Sequence, residues 1–180
     1  HVDNQLIALL FILTASVILI ISDTYMFTFL SVIVISSSCL FIIAEAKNED
    51  LIHVYIIVSS LLMTWWIIAE AKIIRAHPKL SRMYNALRAG WVFSLWMGLV
   101  FVCKLGLFDV TREYIWISSL ALIPLVLVVL NETREMLRIQ TKKDILLVGI
   151  AVLLILLPTA FSPAITGAIL ILLASYRVNF

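Results

Sequence analysis

The sequence predicts an all-α, polytopic integral membrane helix bundle of six or seven transmembrane helices, N-terminus out and C-terminus in. Composition is the first observation. Of 180 residues, 63% are hydrophobic and 13% are Asp, Glu, Lys or Arg, where a soluble domain carries about a quarter charged residues. With a mean hydropathy of +1.14 there are too few polar side chains to wet a 20.3 kDa globule, so the outer surface must face hydrocarbon. The other two observations are a series of apolar runs divided by short polar segments and a one-sided distribution of basic residues.

A hydrocarbon core of about 30 Å needs roughly 20 mostly apolar residues in a helix. The expected spans are 4–22, 26–46, 51–71, 90–108, 114–130, 144–160 and 163–178. The first has no basic leader and no small-residue cleavage site after it, which reads as a retained helix. Asp23 and Asp50 stand where they can N-cap the second and third spans, and Thr141 with Asp144 has capping-box spacing. Ser162-Pro163 pairs an N-cap residue with proline at the first helical position. Pro124 removes a backbone donor in mid-span and is expected to kink the fifth helix. The last two runs are short and separated by Pro158 and Pro163, so they read as two short spans or one re-entrant hairpin.

Orientation follows from charge. Lys72, Arg75, Lys79, Arg82 and Arg88, then Arg134, Arg138, Lys142 and Lys143, and finally Arg177 put ten of thirteen basic residues on one side. The opposite side carries Asp3, Glu45, Lys47, Glu49, Asp50, Asp109, Arg112 and Glu113 and is acidic on balance. The positive-inside rule makes the basic side cytoplasmic. Trp65, Trp66, Tyr84, Trp91 and Tyr176 near the inner boundary, with Phe108, Tyr114, Trp116 and Phe161 near the outer one, match the aromatic belts of a bilayer protein. The expected location is a plasma (inner) membrane, crossed several times.

The segment 78–88 places Leu80, Met83, Tyr84 and Leu87 at helical spacing, with Lys79, Arg82 and Arg88 elsewhere around the helix. Two readings fit it: an amphipathic helix lying at the cytoplasmic interface, or a topology-setting loop with snorkelling cations. Arg75, Lys79, Arg82 and Arg88 form its candidate basic interface, with membrane lipids as the expected contact. A hexapeptide, Ile42-Ile43-Ala44-Glu45-Ala46-Lys47, recurs as Ile67-Ile68-Ala69-Glu70-Ala71-Lys72; the match ends there and reads as shared end-of-helix chemistry rather than a structural repeat.

Polar residues inside the spans are the remaining candidates. Ser31, Ser38 and Glu45 recur at heptad spacing, and His53, Ser60 and Thr64 lie along one stripe of the third span. Such stripes face protein, either as hydroxyl contacts between packed helices or as the lining of a polar path. Glu45 and Glu70 are close to helix ends, and Lys104 is the cation set deepest in a span, five residues before Asp109. Catalytic signatures are missing: there is no Gly-rich phosphate loop, no HExxH and no GxSxG. Cys39 and Cys103 lie singly in apolar runs, so no metal or cofactor is expected. A net charge of +2 gives no basic excess for nucleic acid. The expected function is that of a non-enzymatic membrane subunit, a sensor or assembly component, working through association with its own copies or with a membrane-protein partner. A small transporter or channel is the alternative, and a lipid-modifying membrane enzyme the third.

Overall fold

The computed structural model describes residues 2–46, 50–76, 78–102, 115–133 and 142–178. Among them every regular element is helical. The order is α1 (Val2–Ile21), α2 (Tyr25–Glu45), α3 (Leu51–Ile68), α4 (Glu70–Ala76), α5 (Pro78–Val102), α6 (Ile115–Thr133), α7 (Lys142–Leu156), a 3-10 turn (Pro158–Phe161) and α8 (Pro163–Val178). Five of them, α1, α2, α3, α5 and α6, are long and apolar enough to cross a membrane, while α7 and α8 are shorter apolar helices. The protein is an all-α membrane helix bundle.

The burial pattern inverts that of a soluble domain. Thr28, Ser31, Ser36, Ser60, Ser94, Ser118 and Thr166 are buried, while Leu13, Ile21, Leu147 and Leu172 are 64%, 73%, 68% and 69% exposed. Lipid tails are as apolar as leucine, so an aliphatic side chain gains little by leaving the surface, whereas a hydroxyl gains a partner by turning inward. Several hydroxyls without an interhelical partner bond back to their own helix: Ser16 Oγ donates to the Ile12 carbonyl at 2.7 Å, Ser37 Oγ to Ile33 at 2.8 Å and Thr133 Oγ1 to Val129 at 2.7 Å. That satisfies the group where no water is present to do so.

Helix α5 is the centre of the bundle. It packs on α2, α3 and α8, α6 closes against α3 and α8, and α1 rests on α2. Ile56, Met63, Leu95, Val126 and Leu170 meet in the main core. A second cluster of Val32, Met83 and Leu87, with Leu80 and Trp66 against it, joins α2 to the first turns of α5.

The boundaries differ from the sequence expectation in three places, each with a physical reason. The amphipathic segment 78–88 is not a separate interfacial helix. It is the start of a 25-residue helix that runs on through Gly90, about 37 Å long at 1.5 Å per residue, and its apolar face is covered by α2 and α3. Capping at the second and third spans is also different. Thr24 is the N-cap of α2 and Asp50 that of α3, neither with a side-chain capping bond, because Asp23 turns to Lys79 and Asp50 is itself in helical conformation. The two copies of the hexapeptide fold differently: Glu45 closes α2, whereas the second copy is divided by a turn at Ala69. Pro124 is accommodated inside α6 without ending it.

The principal contact of α7 is with the 3-10 turn, and α8 packs on α6 and α5 instead. At 15 residues, α7 is about 22 Å long, short of a bilayer core of about 30 Å. Cys103, Lys104, Asp109, Glu113, Arg134, Arg138 and Thr141 lie outside the described residues.

Candidate functional site

Among the described residues the polar side chains gather at separate places, one of them the buried pair Thr159 and Thr166, whose hydroxyls are 2.9 Å apart. In the middle of the bundle, Ser36 of α2, Tyr55 of α3 and Ser94 of α5 form one chain. Ser36 Oγ donates to Ser94 Oγ at 2.8 Å, Ser94 Oγ and Tyr55 Oη are 2.7 Å apart, and Tyr55 Oη donates to the Ser94 carbonyl at 3.1 Å. One proton assignment satisfies all three hydroxyls: Ser36 gives to Ser94, Ser94 to Tyr55, and Tyr55 to the carbonyl. Gly98 allows this approach. A Cβ there would meet Tyr55 Cε1 at 2.8 Å, so only glycine lets the ring lie against α5 within reach of Ser94.

Nearer the acidic end, His53 of α3 is 2% exposed and its Nδ1 lies 3.2 Å from Ser118 Oγ of α6. His53 Nε2 and the neighbouring Ser119 Oγ are buried without partners. A histidine beside a serine is also the start of a nucleophilic site, but Ser118 is fully buried, and a nucleophile needs room for a reacting group about 3 Å away. The pair acts as a contact between α3 and α6.

At the same end, Asn4 Nδ2 of α1 donates to Glu45 Oε1 of α2 at 3.4 Å. Below them α1 and α2 enclose a cleft of 340 Å³ lined by Asn4, Phe11, Ser37, Ser38 and Phe41.

The basic end is the most highly charged. Lys79 Nζ of α5 donates to the Ile20 carbonyl of α1 at 2.6 Å and lies 3.4 Å from Asp23 Oδ1, so it caps α1 and ties the α1–α2 connection to α5. Tyr84 Oη donates to the Trp66 carbonyl at 3.2 Å, the two rings stack at 6.0 Å, and the Arg88 guanidinium lies 5.7 Å from the Tyr84 ring. Arg177 Nη2 of α8 reaches Glu132 Oε2 of α6 at 3.8 Å. A cleft of 790 Å³ opens between these elements, lined by Trp65, Trp66, Ile68, Lys72, Leu80 and Glu132 among others.

The sequence-derived candidates therefore do not converge. Ser38 lines the α1–α2 cleft, Glu45 meets Asn4, His53 faces Ser118, and Ser60 Oγ bonds its own helix at Ile57. Thr64 is buried with its hydroxyl unpartnered, Glu70 opens α4 at the basic end, and Lys104 lies outside the described residues. Of the basic interface, Lys79 and Arg88 are engaged within the fold, and Arg75 ends α4. Tyr55, Ser94 and Ser118 were not singled out by sequence reading. The four-residue offset of Ser94 and Gly98, which puts a hydroxyl and a gap on one face of α5, is the signal that carries the first two. Among the described residues no group of three His, Cys, Asp or Glu side chains is placed to hold a metal ion.

Residues 1–179 match a single family, described as Domain of unknown function (DUF4401). The chain belongs to the DUF4401 family. No curated protein and no solved structure matches it. Family membership thus covers the whole bundle, from α1 to the end of α8.

Proposed function

We propose that this DUF4401 member is a non-enzymatic integral membrane subunit that works by helix–helix association, with copies of itself or with a membrane-protein partner, as a sensor or assembly component. The observation that carries this reading is the dispersal of the buried polar side chains over separate helix contacts. A transport path needs polar groups that converge on one cavity. Here Ser36, Tyr55 and Ser94 bind each other, His53 binds Ser118, and the clefts at the two ends share no lining residue.

Two helices support the association part of the reading. The main neighbour of α1 is α2, and that of α7 is the 3-10 turn, so both present long apolar faces at the margins of the bundle. Gly149 of α7 has nothing within 4 Å of the position its Cβ would take. Inside the bundle, by contrast, Gly90, Gly98 and Gly167 each have a neighbour's side chain at that position.

The basic end is assigned to the cytoplasm by the positive-inside rule, and the membrane to the plasma (inner) membrane. Native mass spectrometry in mild detergent tests the functional reading. The expected result is a dimer, a higher oligomer or a complex with a co-purifying membrane protein. A strictly monomeric chain without a partner overturns it, and solute flux in liposomes abolished by Glu70→Gln establishes the transport alternative instead.

A further inference from the structure

The 790 Å³ cleft at the basic end joins an apolar wall to one cation and one carboxylate. Trp65 is 56% exposed and tilted at 59° to Trp66, while Ile68 and Leu80 continue the apolar surface. Lys72 and Glu132 are the charged residues of the lining. Glu132 is already faced by Arg177 at 3.8 Å, and the other salt bridge at this end among the described residues uses Lys79 with Asp23. Lys72 is therefore the lining charge left to a ligand.

Tryptophan rings at headgroup level and aliphatic side chains beside them suit a molecule with a polar head and hydrocarbon tails.

We propose that this cleft seats one anionic phospholipid, with its phosphate held by Lys72, its glycerol region beside Ile68 and Leu80, and its upper acyl chain along Trp65 and Trp66. Basic pockets between helices on the cytoplasmic side are suited to such headgroups, each cation contributing about a fivefold gain in affinity. The lipid bridges α3, α4, α5 and α6 from outside the protein core. The site does not depend on oligomeric state, so this proposal and the association reading fail separately.

The test is lipid titration of the purified full-length chain, followed by native mass spectrometry, with phosphatidylglycerol and phosphatidylcholine as probes. The wild type is expected to retain one phosphatidylglycerol in preference to phosphatidylcholine. Lys72→Gln is expected to weaken that binding about fivefold, Lys72→Arg to keep it, and Lys143→Gln, an exposed cation outside the cleft lining, to leave it unchanged. Leu80→Trp, which fills the cleft and keeps every charge, is expected to remove binding and decides the matter if Lys72→Gln does not fold. Equal retention of both lipids overturns the proposal, as does an equal loss in Lys143→Gln. Binding of soluble glycerol phosphate as tight as that of the lipid assigns the cleft to free phosphates and overturns the lipid source.

Discussion

Ser94 joins three helices through one side chain, receiving the Ser36 hydroxyl and meeting the Tyr55 hydroxyl at 2.7 Å. Interhelical hydrogen bonds in membranes average only about 0.6 kcal/mol, but a buried hydroxyl left unpaired costs about 1–3 kcal/mol. Ser94→Ala leaves both partners short of a bond and is expected to destabilise the bundle by about 1–2 kcal/mol. Thermal unfolding in detergent measures this, and a double-mutant cycle with Ser36→Ala should be non-additive, since the two changes delete the same bond. Lys79 makes the opposite case. Its ammonium and the Asp23 carboxylate are both about half exposed, at 52% and 54%. Lys79→Gln is therefore expected to cost less than about 1 kcal/mol, while making the Ser22–Thr24 connection more susceptible to limited proteolysis. At this scale the sequence was partly legible. Heptad spacing put Ser31, Ser38 and Glu45 on one stripe and helical spacing put His53, Ser60 and Thr64 on another; all but Glu45, which is intermediate, are buried. The partners were not legible, because Ser36 and Tyr55 are brought to Ser94 by tertiary packing across 58 and 39 residues of sequence.

Among the elements, hydropathy located the long apolar helices, because membrane length imposes a minimum run that few other structures need. It could not show that 78–88 continues into the following span. That depends on α2 and α3 covering Met83, Tyr84 and Leu87, which is a property of neighbours rather than of the segment. The break at Ala69 was equally hidden, since the first copy of the hexapeptide stays helical through Glu45, the last residue of α2. Helix contacts make a paired prediction with glycine. Gly98→Ala places a Cβ against the Tyr55 ring and is expected to lower the melting temperature, together with loss of the Tyr55–Ser94 contact. Gly149→Ala meets nothing among the described residues, so the helix gains about 0.8–1 kcal/mol of propensity. The comparison is made by melting both variants in the same detergent. A lower melting temperature for Gly149→Ala in the assembled state alone would identify α7 as a surface that meets another chain.

For the whole molecule, the charged minority carries the topology. Asp23, Lys72, Lys79, Glu132 and Arg177 come together at one end through ion pairs and a shared cleft, while Asn4 and Glu45 meet at the other. Thr24→Cys is expected to react with a membrane-impermeant thiol reagent only from the cytoplasmic side, and Asn4→Cys only from the opposite side, in a background with Cys39 and Cys103 replaced. Labelling of both from one side contradicts the assigned orientation. The candidate site was less legible than the fold. Composition and spacing give the periodicity of a polar stripe, whereas convergence on a cavity is decided by which helices become neighbours, and α5 interposes itself between α2 and α3. The claim that the apolar margins meet protein is tested most directly by photo-crosslinking in native membranes, with a photoreactive residue at Leu13 of α1 and at Leu147 of α7, which are 64% and 68% exposed. The account predicts a discrete protein adduct, with a second copy or one partner, from at least one of the two positions. Lipid adducts alone at both positions would contradict it.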